Sequence, residues 1–252
     1  MELIISNVDK FKTFFEVVYN SASDLIELQF FPNRMTCSLL SRGRDRFYNI
    51  EYDMKFFDLY DVEEVSSVTV FLDDLYNLLK YMVNRTDILT LSFNESYMVA
   101  KIESKTGNTR LLEYVLPTEF VDSPKPPSIE LDAIFTVDVT DIKQSVKDIQ
   151  LAKTMEYRLS VNEGGVDVST DRYASIRYNQ HIDADVEFQY DTVSEASSRF
   201  AVNYIEEMAE FSKINKNVEI KMGTDTVMCY KFEDSENGIV LNGLIANLME
   251  EN

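Results

Sequence analysis

Three arginines stand at alternate positions in the segment SRGRDRF: Arg42, Arg44 and Arg46. Guanidinium groups set close together can grip a carboxylate through short, charge-assisted hydrogen bonds. The cluster stands out because the chain carries a net charge of −20, from 44 acidic and 24 basic residues. The plainer alternative is an exposed loop whose arginines are balanced by neighbouring acids. Catalysis has fewer footholds. His181 is the sole histidine and lies in the polar stretch NQHIDAD, which reads as a loop. Cys37 and Cys229 lie in strand-like runs without metal-ligand spacing, and read as buried free thiols of a reducing compartment. There is no phosphate-cradling glycine loop, zinc spacing or nucleophile elbow in the sequence. Acid pairs such as Asp73 and Asp74 could hold magnesium for a nuclease, but such pairs on helices are usually solvated faces. The expectation is a protein without catalytic activity, metal or cofactor.

The elements that must position these groups repeat along the chain. Residues 9–20 place Phe11, Phe14, Phe15 and Val18 at helical spacing, and residues 72–84 do so with Leu75, Leu78, Leu79 and Met82. Residues 140–150 and 203–214 read the same way, on Ile142, Val146 and Ile149 and on Ile205, Met208 and Ala209. After each helix come three runs with strand-like alternation. They are LIELQFF, MTCSLL and RFYNIEY; ILTLSF, YMVAKIE and TRLLEYVL; EYRLSVN, GVDVST and ASIRYN; and VEIKM, VMCYKF and IVLNGLI. Turn signals at Pro32-Asn33, Gly107-Asn108, Gly164-Gly165 and Asn237-Gly238 separate strands.

These blocks are in register with one another. At an offset of 131, Phe15 meets Val146, Leu28 meets Leu159, and Arg46-Phe47 meets Arg177-Tyr178. Further on, at an offset of 130, Leu75 meets Ile205 and Lys101-Ile102-Glu103 meets Lys231-Phe232-Glu233. The unit is strand, helix and three strands, used four times. Two units make a half, with two helices packed on antiparallel sheet in an α+β layering. The halves span 1–116 and 133–252. Between them, residues 117–132 hold Pro117, Pro124, Pro126 and Pro127, which keep the connector extended. No apolar run approaches the roughly 18 residues of a transmembrane helix, and MELIISNVDK is unlike a secretory signal. No membrane partner is expected.

Order and spacing over essentially the whole chain resemble the sliding clamps of the proliferating cell nuclear antigen (PCNA) family. The carriers are VTDIKQSVKDIQL followed by EYRLSVNEGGVDVSTDRYASIRYN, then FAVNYIEEMAEFSKINKNVEIKMGTDTVMCYKFED and the closing GIVLNGLIANLMEEN. The resemblance implies the DNA-clamp (processivity) fold, assembled into a ring, usually of three subunits, closed around double-stranded DNA. Such a ring tethers DNA polymerase and other replication and repair enzymes, is placed by a clamp loader, and catalyses nothing itself. A clamp-fold ring serving as a checkpoint or late-transcription tether is the alternative within the same fold. The implied location is intracellular: cytoplasm or nucleoid for an archaeal or viral clamp, the nucleus for a eukaryotic one.

The resemblance also assigns residues. Helices should line the hole, so their solvent-side cations should face DNA: Lys10, Lys12, Lys80, Arg85, Lys143, Lys147, Lys213 and Lys216. Helix 203–214 fits poorly, because Glu206, Glu207 and Glu210 outnumber Lys213. The partner pocket should be walled by Leu40, by Ile129 and Leu131 of the connector, and by Leu244, Ile245 and Ala246, with Arg42 and Arg44 beside it. Subunits should join through TRLLEYV of one copy and ASIRYN of the next, with Leu112 and Tyr114 against Ile176 and Tyr178. Three departures mark a divergent member, a virus-encoded copy included. Ile245-Ala246 stands where the family has Ala-Pro, Gly243 where it often has an aromatic, and the arginine loop where it has an acid and small residues.

Overall fold

A computed structural model describes residues 1–94, 96–118, 123–125, 129–170, 176–190 and 192–248. The chain forms two compact units, Met1–Lys125 with Glu233–Leu241, and Pro126–Phe232 with Asn242–Asn252. The first holds β1 (Glu2–Ile5), α1 (Val8–Val18), β2 (Leu25–Phe31), β3 (Arg34–Leu40), β4 (Arg46–Asp53), β5 (Leu59–Asp61) and β6 (Ser66–Phe71). It continues with α2 (Leu72–Asn77, prolonged by a π turn over Leu78–Met82), β7 (Ile88–Phe93), β8 (Tyr97–Glu103) and β9 (Thr109–Val115). Then follow β10 (Ala133–Asp138), α3 (Val139–Leu151), β11 (Glu156–Asn162), β12 (Gly165–Ser169), β13 (Asn179–Ile182) and β14 (Val186–Phe188). The chain closes with β15 (Glu195–Ala201), α4 (Val202–Glu210), β16 (Asn217–Met222), β17 (Met228–Asp234) and β18 (Ile239–Ile245).

In the first unit β5-β1-β7-β8-β9 form one antiparallel sheet, and β4-β3-β2-β6 pair antiparallel in another. The second unit repeats the scheme with β13-β12-β11-β15 and β14-β10-β16-β17. The offset of 131 carries β2 at 25–31 onto β11 at 156–162, and the offset of 130 carries β9 at 109–115 onto β18 at 239–245. The fourfold strand–helix–three-strand order read from the sequence is therefore the order of the fold, with the short β5 and β14 added.

Apolar spacing explains the layers. Phe11, Phe14, Phe15 and Val18 of α1 are fully buried. Phe11 packs on Phe15 and Tyr52, each with ring centroids 5.3 Å apart, and the Tyr52 hydroxyl donates to the Phe11 carbonyl at 3.0 Å. In the second unit, Ile142, Val146 and Ile149 of α3 are buried, and Ser145 Oγ meets the Tyr157 hydroxyl at 2.6 Å. Asp138 caps α3 by accepting from the Thr140 N–H at 2.7 Å, which satisfies one orphan donor of the first turn.

The expected strand ASIRYN is misplaced. Among the described residues the third strand of that block is β13, Asn179–Ile182, while Ile176 and Tyr178 precede it; Ala174 and Ser175 lie outside the described residues. His181 is accordingly a strand residue rather than a loop residue. It stands directly across from Asp167 of β12, with Nδ1 2.9 Å from Asp167 Oδ1 and Nε2 3.5 Å from Asp183 Oδ1. The hydrogen bond to Asp167, with the nearby Asp183 charge adding to it, raises the imidazole pKa above its ordinary value. A raised folded pKa gives stability that is complete below the unfolded value and is lost as pH climbs through the folded value. Hydrogen exchange should therefore find β13 amides better protected on the acid side of the His181 titration. Asp167→Asn should flatten that pH dependence; an unchanged profile would separate His181 from the stability of this strand.

Candidate functional site

The arginine loop is fixed by the residues that start and end it. Ser41 Oγ accepts from the N–H groups of Asp45 and Arg46, at 3.2 and 3.0 Å, and donates to Asp45 Oδ1 at 2.6 Å. Arg42 N–H donates to the Ser21 carbonyl at 2.8 Å. Arg44 has φ +58, a left-handed conformation that costs a side-chain-bearing residue about 1–2 kcal/mol. Arg46 pairs with Asp45 at 3.2 Å, and Arg42 reaches Asp24 Oδ1 at 2.6 Å. Neighbouring acids thus balance part of the cluster. Arg42 and Arg44 are exposed and line a cleft of about 340 Å³ with Leu25, Leu39, Leu40 and Pro124.

Pro124 belongs to the connector, and one carboxylate holds it there. Glu27, 7% exposed on β2, accepts from Ser123 N at 3.1 Å, Ser123 Oγ at 2.6 Å and Gln29 Nε2 at 2.9 Å. Burial opposes the charge, but the hydrogen bonds from Ser123, Ser67 and Gln29 outweigh it and hold the carboxyl below its ordinary range. Glu27 is not among the residues that the sequence motifs single out. Its signal was an acid amid the apolar residues of LIELQFF, since a buried carboxylate needs partners. Pro126 and Pro127 lie outside the described residues.

The remaining residues assigned to the pocket divide by exposure. Ile129 is exposed, and Leu244 and Ala246 are half-buried. Leu131 and Ile245 are buried. Ile245 stands between the half-buried Leu244 and Ala246 at the end of β18, and alternation sends it inward. The segment after β18 is tied down where Leu248 N–H donates to the Arg199 carbonyl at 2.8 Å and Asn247 Nδ2 to the Asp225 carbonyl at 2.9 Å.

Several of the helix cations face acids. Lys10 pairs with Asp234. Burial works against the Asp234 charge, yet Lys10 and Asn237 hold the carboxyl below its ordinary range. Lys12 lies 3.8 Å from both Asp9 and Glu16, and Arg85 lies 2.7 Å from Asp9. Lys143 of α3 is 3.4 Å from Glu210 of α4, and Gln150 donates to Glu206 across the same pair of helices at 2.9 Å. Lys80 is exposed and sits 4.8 Å above the Tyr76 ring, which stacks on Tyr19 with centroids 3.6 Å apart. Lys147, Lys213 and Lys216 are exposed. Asp73 accepts from the Tyr19 hydroxyl at 2.6 Å and from Asn77 at 3.1 Å, and burial raises the Asp74 pKa. Among the described residues, no group of three or more His, Cys, Asp or Glu could hold a metal ion.

At the sheet edges, β9 ends the five-stranded sheet and β13 ends the four-stranded one. Leu112 and Tyr114 of β9 are half-buried, and the Tyr114 hydroxyl lies 3.6 Å from Met82 Sδ. The exposed apolar side chains of that strand are Leu111 and Val115, 69% and 65% accessible. Ile176 is exposed, and the half-buried Tyr178 donates to Gln180 Oε1 at 2.6 Å.

No protein-family model matches the chain. A DNA polymerase sliding clamp of Methanothermobacter thermautotrophicus is 23% identical over 217 residues, covering 85% of this chain and 84% of that protein. Among solved structures, PCNA from Thermococcus kodakaraensis superposes with a TM-score of 0.84 at 16% identity, over 98% of this chain and 99% of that one. A PCNA2–PCNA3 complex from Sulfolobus tokodaii gives 0.83 at 17% identity, over 99% of this chain and 100% of that one. The fold is the PCNA clamp fold.

Proposed function

We propose that the protein is a DNA sliding clamp: a subunit of a ring that encircles duplex DNA and tethers polymerase and other DNA enzymes. The observation that carries this reading is the clamp fold over nearly the whole chain, joined to relatives named DNA polymerase sliding clamp that match most of its length. In this reading the halves 1–116 and 133–252 are two clamp domains of one subunit. The edge strand β9 of one copy joins the β13 edge of the next, three copies closing the ring. The cleft around Leu40 receives peptide segments of partners. The protein catalyses no reaction and works inside the cell, placed on DNA by a clamp loader.

The engaged cations fit a ring that must slide. Lys10, Lys12, Arg85 and Lys143 already face carboxylates, so the helix faces offer phosphate a weak field. Retention on DNA then comes from closure rather than affinity. Binding to a short linear duplex should be weak and should fall further with salt, with a slope in log–log terms of about −0.9 per phosphate neutralised. On nicked circular DNA, after loading, the protein should stay bound at high salt and leave when the circle is cut. Tight, salt-resistant binding to the short duplex, or retention after linearisation, would overturn the topological reading.

A further inference from the structure

A second cleft, of about 360 Å³, adjoins the first and is lined by Tyr19, Phe71 and Leu72, with Asp24 at its rim. Ser23 and Arg42 line both clefts, so the Arg42–Asp24 ion pair marks the boundary between two hollows of mixed polar and apolar lining in the first unit. Its side chains are 64% and 84% exposed, and an ion pair this wet is readily exchanged. The neighbouring acids are held by internal donors: Glu27 by Ser123, Asp45 by Ser41, and Asp73 by Tyr19. Arg44 stands on the same rim and keeps a left-handed backbone where glycine would rest without strain. Unfavourable local geometry that persists in a rigid loop points to a task for the side chain.

We propose that Arg42 and Arg44 are specificity-determining residues that read a carboxylate. They select peptide partners whose apolar anchors are flanked by Asp or Glu, the incoming acid replacing Asp24 on Arg42. This inference rests on the partner-cleft reading above and adds the chemistry of the partner. Charge complementarity supports it: in a chain of net charge −20, two guanidinium groups overhang a hollow floored by Leu25, Leu39 and Leu40. An acidic flank would otherwise be repelled by the chain as a whole.

The test uses two fluorescent peptides, N-acetylated and C-amidated, so that side chains are their only carboxylates. Both carry the same turn of helix with one aliphatic and two aromatic anchors; one has Glu and Asp flanks, the other Gln and Asn. Fluorescence anisotropy with the full chain should show the acidic peptide binding about tenfold tighter than the neutral one at low salt. Arg42→Gln with Arg44→Gln should erase that preference, so that the two peptides bind this variant with equal affinity. Asp24→Asn should tighten the acidic peptide about threefold by releasing Arg42. Equal affinity of the two peptides for the unaltered chain would overturn the carboxylate reading and leave the cleft intact. Failure of both peptides to bind would remove the cleft reading and this inference with it.

Discussion

Leu111→Glu combined with Val115→Glu is expected to leave a folded single chain of 29.2 kDa where the proposed ring would run as a multimer. The two side chains are 69% and 65% accessible, so their replacement removes little from the core of a single chain. They lie on β9, which ends its sheet and leaves one line of backbone donors and acceptors unpaired by its own sheet. A β9 edge that joins a β13 edge makes a head-to-tail contact, and such contacts close into rings when the rotation between copies allows. Burying each apolar side chain there would contribute about 1.5–3 kcal/mol. Losing both, and placing carboxylates against the neighbour, should raise the dissociation constant at least about a hundredfold. Light scattering over a concentration series reads this directly, with circular dichroism as the check that the fold persists. A mass equal to that of the unaltered multimer would show that this edge is not the subunit contact.

That prediction uses residues one step away from those the sequence suggested. The strand TRLLEYV was legible because β-favouring residues alternate in it, but alternation alone does not say which parity faces inward. Leu112 and Tyr114 are half-buried, and Tyr114 meets Met82 of the π turn after α2. The same ambiguity applies at the end of β18, where Ile245 is buried between the half-buried Leu244 and Ala246. Self-comparison within the sequence did better than local propensity. The offset of 131 carries β4 at 46–53 onto 177–184, which contains β13, whereas the β-rich look of ASIRYN alone pointed a few residues too early. Ion pairs were the least legible layer. Lys10 sits on the helix where expected, but its partner Asp234 is 224 residues away, and no local pattern announces such a contact. The Glu27–Ser123 bond spans 96 residues and is hidden for the same reason. Periodicity and repetition record the fold, while the pairing of charges is set only once distant strands meet.

Gly243→Ala should be among the most disruptive single-methyl changes available in the chain. A Cβ at this position would lie 1.9 Å from Tyr230 Cζ, 2.2 Å from its hydroxyl oxygen and 2.4 Å from Cε1. The ring cannot step aside into solvent, because Tyr230 is 3% exposed and packs against Phe211 and Phe232 with centroids 6.4 and 6.1 Å away. The bare backbone of Gly243 is thus the floor on which the Tyr230 ring of β17 rests, the arrangement by which an aromatic covers a strand glycine. This accounts for the missing aromatic noted in the sequence: the space above position 243 is already filled from Tyr230. Overpacking a closed site costs about 1–3 kcal/mol, and here the upper end is expected, a fall in Tm of about 6–12 °C for a chain of this size. Tyr230→Ala opens a cavity and should itself cost about 3–5 kcal/mol, the range for a buried aromatic. The informative quantity is the coupling. With Tyr230→Ala already present, Gly243→Ala should cost almost nothing, giving an interaction energy of about 1–3 kcal/mol in a double-mutant cycle read by denaturant unfolding. Additive losses would mean that the two positions do not meet, and a Gly243→Ala variant as stable as the parent would mean that β17 and β18 yield where the packing says they cannot. The double variant should therefore be about as stable as Tyr230→Ala alone, well below the sum of the two separate losses.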